Sequence, residues 1–145
     1  MSAPFRLAIG GRIDRTRPIS FSFDRKQYEG FAGDTLASAL IANGVHLVGR
    51  SFKYHRPRGI MSSGSDEPNA LVGVGGDDAG YSPNLRATQV ELYDGLVAES
   101  QNRWPSLGFD IGSAAASVSK IVARKCNGLR FIERRSLHRH KLRNL

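Results

Sequence analysis

GDTLASALIANGVHLVGRSFKYHRPRGIMSSGSDEPNALV, residues 33–72, decides the fold. Its first third reads as a helix. Asp34 can accept backbone N–H bonds as an N-cap, Leu36, Ala39 and Leu40 recur at helical spacing, and Gly44 supplies the left-handed residue that ends a helix. The spacing predicts a helix over 35–43. Just upstream, Ile19, Phe21 and Phe23 alternate with Ser20 and Ser22, the period of a half-buried strand. A polar turn over 24–26 then leads into a second strand over 27–31, so the two form a hairpin. Two strands followed by a helix on their apolar face open an α+β fold. Further short strands are expected over 70–74 and 87–92, with turn-rich loops over 62–69 and 73–84.

The rest of the stretch, GRSFKYHRPRG and IMSSGSDEPNALV, follows the helix in the order in which a plant-type ferredoxin presents helix, loop and cluster ligands. The α+β fold is thus expected to be a β-grasp. A plant-type 2Fe-2S site needs cysteines at C-x4-C-x2-C and one more, because four thiolates complete the two irons. Laid on this loop, the spacing falls on Ser62, Glu67 and Ala70, none of which is a thiol. The single cysteine, Cys126, lies far downstream. The expectation is a ligand loop without its cluster. Glu67 beside Asp66 forms a carboxylate pair, but adjacent acids in a loop are ordinarily solvated, and no histidine stands near in sequence to complete a metal set.

Other constellations carry less. Arg50, Phe52, Lys53, Tyr54, His55, Arg56 and Arg58 form a basic-aromatic loop with the makings of a phosphate or single-strand contact, because guanidinium groups pair with phosphates and rings stack on bases. Docking against a neighbouring flavin or nucleotide domain or plain solvation accounts for it better than nucleic acid does, with direct cofactor contact as a further alternative. His138 and His140 could clip a metal, but Arg135, Arg139 and Lys141 surround them with positive charge. Cys126 has a cationic neighbour, Lys125, and no visible base partner. Gly73, Gly75 and Gly76 do not keep the G-x-G-x-x-G spacing and read as a turn. Trp104, the only tryptophan, is expected to anchor packing against a further domain. No catalytic, cofactor-binding or metal residue is assigned.

Length places the 145 residues in one domain large enough to fold without disulfides or metals. The start MSAPFRLAIG has no signal-peptide pattern, and no apolar run of about eighteen residues occurs, so no membrane span is expected. One lone cysteine fits a reducing, cytoplasmic setting. The net charge of +8 is unevenly spread. Residues 1–117 hold twelve Lys/Arg against twelve Asp/Glu, whereas 118–145 hold nine against Glu133 alone. Two units follow: a ferredoxin-like domain over 1–112 and a basic tail over 113–145, poorly ordered or out of frame.

The blocks RSFKYHRPRG, EPNA and SQNRWPS, in this order between Phe5 and Asp110, closely resemble the N-terminal region of the alpha subunit of heterotetrameric sarcosine oxidase. The resemblance implies a 2Fe-2S ferredoxin-like domain that has lost its cluster and serves as scaffold and interface. It also implies an assembly that demethylates sarcosine oxidatively to glycine, with beta, gamma and delta subunits and the remainder of alpha as partners. FAD, FMN, NAD and zinc would be held elsewhere, and none in this chain. The chain alone is then expected to be inactive. An Arg-rich tail in place of the family's dinucleotide-binding continuation is what a truncated or frameshifted gene produces. Two other readings stand beside this one: a small basic module binding nucleic acid through its tail, and a 2Fe-2S electron carrier, which the missing cysteines oppose.

Overall fold

The structure is a computed structural model and describes residues 3–76 and 80–115. The chain opens with strand β1 (Asp14–Phe23), which returns as β2 (Lys26–Ala32). The alternation in β1 does what it promised: Phe21 and Phe23 are buried while Ser20 faces outward. The connection is a two-residue turn in which Asp24 and Arg25 both take positive φ, 49° and 66°, the geometry that matches the twist of a tight hairpin. Neither residue is glycine. Asp24 is held there because its N–H donates to the Ala98 carbonyl and its carboxylate accepts from the N–H and hydroxyl of Ser100.

Helix α1 (Leu36–Ala42) follows and buries Leu36, Ala37, Ala39, Leu40 and Ala42. Thr35, not Asp34, is its N-cap: Thr35 Oγ1 accepts from the Ser38 N–H and Ser38 Oγ accepts from the Thr35 N–H. Asp34 is buried one residue earlier, where its carboxylate pairs with Arg6 at 2.7 Å and accepts from the Phe31 N–H and the Ser38 hydroxyl. Gly44 ends the helix at φ +77°, as expected.

Beyond the helix lie β3 (Gly49–Arg50) and β4 (Pro57–Arg58), a short antiparallel pair, then a 3-10 turn (Gly64–Asp66), β5 (Leu71–Val74), β6 (Ser82–Arg86) and β7 (Leu96–Ser100). The main sheet has the order β2-β1-β7-β5-β6, with β7 parallel to β1 and every other pairing antiparallel. A hairpin, a crossing helix and a later strand laid parallel beside the first is the β-grasp arrangement, an α+β fold. The core lies between helix and sheet: Phe21, Phe23, Leu36, Leu40, Val48, Val72, Leu92 and Leu96. Each such side chain contributes about 1.5–3 kcal/mol on burial.

The strand expected over 87–92 is absent. Ala87 and Leu92 are buried there, but the backbone turns and serves the helix instead. The Leu36 N–H donates to Val90 O and the Ala37 N–H to Ala87 O, both at 2.9 Å, satisfying two donors that a helix start leaves without internal partners. The strand lies just upstream, at Ser82–Arg86, partly inside the loop expected over 73–84. The basic tail from 116 onward, with Cys126, His138 and His140, lies outside the described residues.

Candidate functional site

The fold brings the three cysteine-spaced positions together at the end of β5, and Glu67 lies at their centre. Its side chain is not solvated, contrary to the expectation for adjacent loop acids: Glu67 is 1% exposed. Oε2 accepts from the N–H groups of Met61 and Ser62, both at 2.7 Å, and Oε1 from those of Asn69 and Ala70, at 2.8 and 3.1 Å. Burial alone would push this carboxyl pKa up. The four backbone donors outweigh it and hold the pKa below its ordinary value. Asp66 remains exposed, so the two acids form no pair. The loop is tied down further by the Thr88 hydroxyl on Gly64 O and by Arg86 Nε on Glu67 O. Ser62 Oγ, at the first cysteine position, is buried without a hydrogen-bond partner.

The basic-aromatic loop packs on the same end of the domain, and its first cation is spent on structure. Arg50 donates through Nε and Nη2 to Leu107 O and through Nη1 to His55 O. His55, at φ +50°, places Nδ1 2.9 Å from the Asp110 carboxylate. Asp110 is buried and also accepts from the N–H groups of Trp104 and Ser113, at 2.7 and 2.8 Å. Burial acts upward on its pKa, but these donors and His55 carry it below the ordinary value. The Asp110 knot thereby fixes the 50–58 loop to the segment over 103–113. Lys53 and Arg56 flank the Tyr54 ring at 5.4 and 5.2 Å, while Phe52 and Trp104 are 86% and 62% exposed.

Between this loop, the end of the ligand loop and β6 lies a cavity of about 680 Å³, bordered by Phe52, Arg58, Asn69, Tyr81 and Asn84. Its described lining contains no carboxylate, imidazole or thiol. Among the described residues there is no group of three or more His, Cys, Asp or Glu that could hold a metal ion, and no helix long and apolar enough to cross a membrane. The structure brings Ser62, Glu67 and Ala70 together around one carboxylate; sequence reasoning missed the burial of Glu67 and the role of Asp110. The signal for Glu67 was its coincidence with a cysteine position.

Residues 16–103 match the family model of the 2Fe-2S iron-sulfur cluster binding domain. The chain is 62% identical over 118 residues to the sarcosine oxidase subunit alpha of Rhizobium meliloti (strain 1021), which covers 81% of this chain and 12% of that protein. It is 44% identical over 104 residues to the subunit of the same name from Corynebacterium sp. (strain U-96), covering 68% of this chain and 11% of the relative. The chain thus spans about an eighth of the length of these relatives. Among solved structures, the L-proline dehydrogenase from P.horikoshii matches at 25% identity with a TM-score of 0.49, over 61% of this chain and 16% of that one.

A cluster implied by such a match requires four sulfur ligands, and Ser62, Glu67 and Ala70 do not fit it. One position has a hydroxyl, one a methyl, and the third a carboxylate already saturated by amides.

Proposed function

The chain belongs to the 2Fe-2S iron-sulfur cluster binding domain family, and from that premise we propose that it is a redox-silent member: a non-catalytic scaffold and interface domain of the alpha subunit of a cytoplasmic sarcosine-oxidising complex. The observation that carries this reading is Glu67, which fills the ligand loop with a buried carboxylate at a position where a cluster would need a thiolate. Similarity to two sarcosine oxidase alpha subunits supports this choice of assembly. In that assembly sarcosine is oxidatively demethylated to glycine, with flavins, NAD and zinc bound by other parts of alpha and by the beta, gamma and delta subunits.

The exposed Phe52, Trp104 and Phe109 rings, on segments locked together by Asp110, suit the interface role. A rigid base under exposed rings lowers the entropy lost on docking.

The test is co-expression with the beta, gamma and delta subunits, followed by iron and acid-labile sulfide assay of the purified chain. Co-purification without iron or sulfide is the expected result. Stoichiometric iron and sulfide, or sarcosine-dependent peroxide from the chain alone, would overturn the proposal.

A further inference from the structure

Four backbone N–H groups from two arms of one loop, residues 61–62 and 69–70, converge on a single carboxylate. Convergent amide dipoles repel one another unless negative charge sits between them. In an iron-sulfur loop that charge belongs to the cluster, whose sulfurs accept hydrogen bonds from the surrounding chain. Here the donors are aimed inward, yet the residues at the thiolate spacing carry no sulfur.

We propose that the Glu67 carboxylate takes the cluster's place as the anion around which this loop folds, and that its four amides constitute a small-anion site normally filled from within. The ligand class is a planar monocarboxylate or another anion of similar size. Each oxygen takes one arm, Oε2 the 61–62 arm and Oε1 the 69–70 arm, so that one rigid, planar charge bridges both. The backbone of the same residue serves the fold on the other side, where Glu67 O accepts from Arg86 Nε. Ser62 and Ala70, the other two thiolate-spaced positions, present their amides to this carboxylate in place of side-chain ligands. The inference deepens the redox-silent reading but rests on the loop's hydrogen bonds alone. The iron assay and the experiment below can therefore fail separately.

The experiment is rescue. In the full chain, Glu67→Ala removes the resident carboxylate and leaves the amides without an acceptor. The melting temperature of this variant should fall, and formate should restore it in a saturable way. Formamide, the neutral isostere, should not restore it, and formate should not raise the wild type beyond its general salt effect. Equal responses of variant and wild type, or equal rescue by formate and formamide, would refute the proposal, as would an unaltered melting temperature in Glu67→Ala.

Should Glu67→Ala not fold, Glu67→Gln decides the matter by amide hydrogen exchange. A carboxamide has one acceptor oxygen, so only one arm can keep its partner. Exchange should accelerate about tenfold or more at one of the two arms and not at the other. Unchanged protection at all four amides would show that the charge and second oxygen are dispensable, and the inference would fall.

Discussion

Asp110→Asn should release the 50–58 loop from the segment over 103–113 while leaving the sheet and helix in place. The carboxylate accepts two backbone N–H bonds and faces His55 Nδ1, with Arg50 Nε 3.8 Å from its second oxygen. Asparagine keeps one acceptor and turns an NH2 group toward a donor, so at least one backbone bond and the carboxylate contact of His55 Nδ1 are lost together. Hydrogen bonds to a charged group contribute about 1.5–3 kcal/mol each, and the expected destabilisation is about 2–3 kcal/mol. For a domain of this size that corresponds to a fall in Tm of roughly 10 °C. The His55 ring packs directly on Gly112, its Nδ1 2.6 Å from where a Cβ would stand. Calorimetry gives the magnitude and amide exchange gives the place: faster exchange at Trp104, Ser113 and His55, with unchanged protection in β1 and α1. A variant that melts within a degree of wild type, or that loses protection evenly over the whole domain, would refute the idea of a local knot.

Acid should unfold the domain through the same kind of group. Glu67 and Asp110 both have folded-state pKa values below their ordinary 4.5 and 3.8. Each therefore contributes stability that is fully present above its unfolded value and lost as pH falls through its folded value. The stability curve should be flat above about pH 5 and fall below it, and the double variant Glu67→Gln with Asp110→Asn should show a lower plateau with a flattened acid limb, read by urea unfolding at each pH. Gly75→Ala tests the hairpin between β5 and β6: Gly75 sits at φ +117° with Gly80 O only 1.9 Å from where a Cβ would be. A destabilisation of at least about 2 kcal/mol is expected from backbone strain and overpacking combined, and chemical denaturation measures it.

The hairpin and helix were legible because their signals are local. Phe21 and Phe23 alternate with serines, and Leu36 and Leu40 share a helical face; both readings need only neighbouring residues. The cap was misplaced by one residue because Asp34 and Thr35 are both good caps in isolation. What separates them is Arg6, which draws the Asp34 carboxylate away from twenty-eight positions upstream. The 87–92 segment misled for a related reason. Ala87 and Leu92 are core residues, but their backbone caps α1, and burial of side chains does not tell which way carbonyls point. Strand β7 went unseen even though Leu96, Ala98 and Ser100 are buried in strict alternation with the more exposed Val97 and Glu99. Its parallel partner β1 lies some seventy residues earlier, and its Ala, Glu and Ser have little strand preference of their own.

Glu67 is the sharper case. Asp66 and Glu67 are neighbours of the same charge, and nothing in composition or periodicity distinguishes them, yet one is exposed and the other lies at the centre of the loop. What distinguishes them is the conjunction of missing thiolates and inward-pointing amides. Counting cysteines says which ligands are gone. The accounting of buried backbone donors says that a loop with inward-pointing amides cannot simply go without an acceptor, because each stranded N–H costs about 1–3 kcal/mol. Once both are held together, a negative side chain at one of the vacated positions becomes an expectation, and of Ser62, Glu67 and Ala70 only one can meet it.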